Sequence, residues 1–153
     1  MTRDSLRGIV VTRRTALLVG AGALAAVLAG CVGRRSDQAA VQAALQAAVE
    51  RVPDYVDGAI HFVDGASPGT SITGNIVVDT ATTAETEQAL ERIHEAIVRT
   101  YLQQPDVRTA GVRIRAYPPT DAQAVVESAD IAAAPGEVAV DTDQLAAQFG
   151  LTG

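Results

Sequence analysis

Lysine and tryptophan are absent from this chain, and all twelve of its basic residues are arginine. Aromatic residues make up only 3% of it, which leaves no platform of rings for stacking nucleobases. The single cysteine, Cys31, excludes an internal disulfide, a redox pair and a thiolate metal cluster. Positive charge is scarce after the first 30 residues. Those 30 hold four of the arginines (Arg3, Arg7, Arg13, Arg14) but only one of the 18 acids, Asp4. Residues 31–153 therefore carry 17 acids against eight arginines, a net charge of −9. Such a surface repels the phosphates of nucleic acid, which is excluded as a partner.

What is present begins with a three-part export signal. The four arginines form a positive leader, and Thr15 to Leu28 form an uncharged apolar run. That run is shorter than the roughly 20 residues a bilayer-spanning helix needs. Leu28-Ala29-Gly30-Cys31 closes it and resembles the lipobox of bacterial lipoproteins. The resemblance implies acylation of the Cys31 thiol, cleavage before Cys31 and acylation of the new amino terminus. Two or more acyl chains anchor stably where one binds reversibly. Thr12-Arg13-Arg14-Thr15-Ala16-Leu17-Leu18 also resembles a twin-arginine signal, with Ala16 where that family prefers an aromatic. An ordinary secretory signal fits the same residues.

The expected organisation is a signal peptide over residues 1–30, a lipidated tether over 31–35, a core domain over 36–117 and a C-terminal extension over 118–153. The expected place is the extracytoplasmic side of the cell membrane. The four tether residues Val32–Arg35 span at most about 14 Å, so the domain stays close to the bilayer.

Within the domain, Ser36 or Asp37 caps a helix to about Val52, with Val41, Leu45, Ala48, Val49 and Val52 on one face and Gln38, Gln42, Gln46 and Glu50 on the others. Pro53 stops it. Strands are expected over Val56 to Val63 and Thr70 to Asp79, joined as a hairpin. Ile72, Gly74, Ile76 and Val78 alternate with Ser71, Thr73, Asn75 and Val77 in the second. Thr82 and Glu85 form a capping box for a helix over about Thr83 to Gln103, its inner stripe running Leu90, Ile93, Ile97, Tyr101. A third strand over Thr109 to Tyr117 puts Val112, Ile114 and Ala116 opposite Arg113, Arg115 and Tyr117. After Pro118-Pro119, Ala122 to Ala129 reads as helix, with a strand through Val125 and Val126 as the alternative. Glu137 to Val140 reads as a short strand, and Thr142 as the cap of a last helix to Phe149.

The order α-β-β-α-β predicts an α+β two-layer sandwich, helices on one face of a mostly antiparallel sheet and the other face wet. This order, with the strand Ser71-Ile72-Thr73-Gly74-Asn75-Ile76, resembles a BON domain over roughly Asp37 to Tyr117. That resemblance implies a non-enzymatic role in associating with phospholipid or envelope polymers. The hairpin loop is longer here than is usual in that family, the third strand is more charged, and a tail follows.

Few residues suit catalysis. His61 and His94 are the two groups fit for acid/base work near neutrality. His61 is expected on the wet face. His94 is expected at the surface, and its i, i+3 pairing with Glu91 lacks a third metal ligand. Gly65-Ala66-Ser67-Pro68-Gly69 has the lettering of a nucleophile elbow but sits in a hairpin loop with Pro68 after the serine. No catalytic residue, metal site or cofactor is expected. The surface best suited to a ligand is the open sheet face, where His61, Thr73, Asn75, Arg113, Arg115 and Tyr117 converge if their strands are adjacent. The expectation is a membrane-anchored binding or assembly domain with an envelope protein partner. Recognition of phospholipid or an anionic polymer through the open face is the alternative, and a metal-binding protein or hydrolase a remote one.

Overall fold

The structure is a computed structural model that describes residues 35–67, 69–132 and 139–151. The export signal and Cys31 lie outside the described residues. No helix among those described is long and apolar enough to cross a membrane. Arg35–Gly153 forms one compact unit.

The element order is α1 (Gln38–Val49), β1 (Tyr55–Asp64), β2 (Thr70–Val78), α2 (Thr83–Leu102), β3 (Gly111–Tyr117), β4 (Val126–Glu127), α3 (Ser128–Ala132), β5 (Val140–Asp141) and α4 (Thr142–Gln148). The fold is α+β, with helices packed on one face of a five-stranded, mostly antiparallel sheet. β2 is central, antiparallel to β1 and parallel to β3. The parallel pairing follows from α2, since a helical crossover returns the chain to the same end of the sheet. β4 and β5 pair antiparallel with opposite ends of the outer edge of β3.

Local sequence explains the principal elements. Asp37 caps α1, its carboxylate accepting from the Ala40 amide at 3.1 Å. Thr82 and Glu85 form the expected reciprocal box at the start of α2. Leu90, Ile93 and Ile97 on the α2 stripe are fully buried, as are Ile72, Ile76 and Val78 of β2. Each such side chain contributes about 1.5–3 kcal/mol when withdrawn from water. Phe62 meets Tyr101 edge to face, ring centroids 5.7 Å apart. Gly74 lies on the helix-facing side with Ile72 and Ile76, and a Cβ there would lie 2.7 Å from Ile60 Cδ1 and 2.9 Å from the Ala59 carbonyl oxygen, so the position has no room for a side chain.

The glutamines of α1 do more than populate its outer faces. The helix runs alongside the free edge of β1, and its side-chain amides take the place of a neighbouring strand. Gln46 accepts from the Ile60 amide at 2.9 Å and donates to the Gly58 carbonyl at 3.1 Å. Gln42 accepts from the Phe62 amide at 2.6 Å and donates to the Ile60 carbonyl. Gln38 accepts from the Asp64 amide at 3.4 Å. An edge that would otherwise be a template for aggregation is thereby closed.

The C-terminal part departs from the sequence expectation in detail. The helix expected over Ala122 to Ala129 is replaced by β4 followed by α3, so the strand alternative holds at Val126 but not at Val125. Val126 is buried against the core, and Ser128 is needed at the edge of β3, which together outweigh the weak helical preference of this stretch. Of the strand expected over Glu137 to Val140, Glu137 and Val138 lie outside the described residues; among those described, β5 is Val140–Asp141. Asp141 rather than Thr142 caps α4, in a reciprocal box with Gln144. The Thr142 hydroxyl instead accepts from the Ala110 amide at 3.0 Å. Val140, Leu145 and Ala146 are all buried in the single core.

Candidate functional site

The register settles which residues share the open face. Across β1, β2 and β3, His61 aligns with Thr73 and Thr73 with Arg113. The next row is Ala59, Asn75 and Arg115, ending at Glu127 of β4. Val77 and Tyr117 pair in the row beyond. The six residues expected to converge therefore do stand on one face of adjacent strands. His61, Asn75, Arg113 and Arg115 are exposed, whereas Thr73 and Tyr117 are half-buried.

The two arginines are not equivalent. Arg115 Nε lies 2.9 Å from Glu127 Oε1, and both side chains are about half exposed. Such a solvated pair contributes at most about 1 kcal/mol, but it occupies the Arg115 guanidinium. Arg113 has no ion-pair partner among the described residues. It borders a cavity of about 340 Å³ that also meets Ser71, Thr73 and Gly111. A Cβ built on Gly111 would meet nothing within 4 Å, so the backbone there is open to the cavity. A guanidinium beside two hydroxyls suits a carboxylate or phosphate oxygen, which accepts charge-assisted hydrogen bonds.

His94 overturns its surface expectation. It is fully buried on α2, its Nε2 2.9 Å from Ser128 Oγ. The Ser128 hydroxyl also accepts from the Ile114 amide at 2.7 Å and lies 3.2 Å from the Ile114 carbonyl oxygen. It thus satisfies the edge of β3 in the gap between β4 and β5. His94 Nδ1 has no hydrogen-bond partner among the described residues. Protonation at Nε2, with donation to Ser128, leaves only a bare lone pair at Nδ1; the other tautomer strands a buried N–H, so we assign the former. Burial lowers the imidazole pKa to about 4.

A serine beside a histidine invites a nucleophilic reading. Here Ser128 is 2% exposed and His94 0%, and the serine hydroxyl is spent on the strand edge. The pair is a structural bolt. Glu91 is exposed and His94 enclosed, so the i, i+3 metal pairing does not form a site. Among the described residues no group of three His, Cys, Asp or Glu side chains is placed to hold a metal ion.

The sequence reading missed a second polar centre, at Asp64. Its carboxylate accepts from the Ser36 amide at 3.1 Å, the Ser36 hydroxyl at 2.9 Å and the Thr70 hydroxyl at 3.2 Å, and is paired with Arg108. The hydrogen bonds from Arg108 and then Ser36 hold its pKa down to about 2. Asp64 therefore favours the folded state above about pH 3.8, and that contribution fades as the pH falls toward 2. No signal short of the tertiary contacts marked it, because Asp at a strand end is ordinarily a turn residue.

No family model, curated protein or solved structure matches the chain.

Proposed function

We propose that the protein is an exported lipoprotein, held to the membrane by acyl chains on Cys31, whose α+β domain binds an anionic partner without covalent chemistry. The partner belongs to the phospholipid headgroups or acidic envelope polymers, and the binding surface is the open sheet face. One observation carries the reading: Arg113 is exposed and unpaired among the described residues, beside the hydroxyl-lined cavity of a domain with a large excess of acid. The α-β-β-α-β order and the core-facing Gly74 support the likeness to a BON domain.

The test uses the Cys31→Ser protein, which has no anchor, against vesicles of phosphatidylglycerol, vesicles of phosphatidylcholine and a carboxylated polymer. Salt-sensitive retention on one of the anionic surfaces is expected. Arg113→Ala should weaken it about tenfold, the worth of one charge-assisted hydrogen bond, with thermal unfolding unchanged. Arg115→Ala should do less, since Glu127 already occupies that side chain. Undiminished binding by Arg113→Ala would remove the open face from the account.

A further inference from the structure

The clasp at Asp64 fixes where the tether joins the domain. Ser36 is the sixth residue from the lipobox cysteine, counting Cys31 as the first. Both its amide and its hydroxyl are held by Asp64, the last residue of β1, which Thr70 and Arg108 hold in turn. The chain therefore enters at the hairpin end of the sheet, and α1 then runs back along β1 toward the other end. Ala110 and Thr142 meet at the hairpin end too, the Thr142 amide donating to the Ala110 carbonyl at 2.9 Å. Pro53 and the segment from Pro118 to Val125 lie at the opposite end, beyond the start of β1 and the finish of β3.

Two lengths decide what this permits. The four residues Val32–Arg35 span at most about 14 Å. The ten residues of β1 extend over about 33 Å. To bring the far end of the sheet to the bilayer, Ser36 would have to rise by about the length of β1, twice what the tether allows. The net charge of −9 on residues 31–153 opposes lying flat on an anionic surface.

Resting on the lipoprotein reading above, we infer that the hairpin end is the bilayer-facing end of the domain, so that the sheet stands upright with its open face exposed to the envelope space. The row Ser71–Gly111 is then nearest the membrane and the row Val77–Tyr117 farthest from it. Of the two anionic partners, the upright sheet therefore offers its open face to an acidic polymer met from the side, above the headgroups of the anchoring bilayer.

With Cys31 acylated, an introduced cysteine is the sole free thiol for a fluorophore. Labels belong at Ser67 in the hairpin loop, Asp121 at the far end and Ala59 on the open face, all exposed. The full-length protein is purified from membranes and reconstituted with headgroup-quencher lipid. Quenching should be strongest at Ser67→Cys, intermediate at Ala59→Cys and least at Asp121→Cys. Inserting about ten Gly and Ser residues after Val32, which adds about 35 Å of reach, should erase the contrast without touching the fold. Equal or inverted quenching at the two ends would overturn the orientation, and strongest quenching at Ala59→Cys would mean a domain lying on its open face. A contrast that survives the longer tether would overturn the tether as its cause. Protein absent from the membrane fraction would instead sink the anchor, and the orientation with it.

Discussion

Acidification from neutrality to about pH 4 should cost the domain about 3 kcal/mol through His94 alone. In the unfolded chain this imidazole binds a proton near its ordinary pKa of 6.5, but burial holds it to about 4 in the fold. Between those values the unfolded state carries the extra proton, so stability is full above 6.5 and drains away as the pH falls. Asp64 acts in a lower window, beginning near pH 3.8, and does not confuse the measurement. Urea unfolding across the upper window checks it. His94→Gln, whose amide can still donate to Ser128, should flatten the pH dependence there even if it lowers stability throughout. An unchanged slope in that variant would show that His94 is not the titrating group.

Gly58→Ala should be among the most damaging single-methyl additions in the molecule. Gly58 has φ of +127°, and a Cβ on it would lie 2.3 Å from the Asn75 carbonyl oxygen and 2.9 Å from Ile76 Cα. Both obstacles are backbone of the central strand, so no side chain can swing aside. The residue follows a bulge at the start of β1, where the register shifts between Tyr55 and Asp57. Its carbonyl accepts from Tyr55 Oη at 2.8 Å as well as from Gln46, so a shift of this segment breaks two further contacts. A loss of at least about 3 kcal/mol is expected. Gly111→Ala is the control, because its added Cβ meets nothing within 4 Å. Thermal unfolding that fell equally in both variants would contradict the argument.

These two residues also mark where sequence reasoning stopped. The periodicities of α2 and β2 exposed the core directly, since Leu90, Ile93 and Ile97 repeat at helical spacing and Ile72, Ile76 and Val78 alternate. The open face followed from the same alternation, and the register joined its three strands. His94 falls at i+4 from Leu90 and i−3 from Ile97, squarely on the buried stripe. Its polarity argued for the surface because its partner, Ser128, lies 34 residues away. The α1 glutamines misled for a related reason: spaced by four, they look like a solvated face until a strand edge is found beside them. Local pattern reports which side chains avoid water. It is silent on which polar groups find one another across the fold.

The role proposed for that face depends on the domain being displayed at a membrane by Cys31. Mass spectrometry of the native protein purified from membranes tests this directly, with the Cys31→Ser protein alongside. The expected result is an amino-terminal Cys31 carrying acyl chains on its thiol and its amine, and a variant released from the membrane. An unmodified Cys31, or a wild-type protein that is itself soluble, would contradict it.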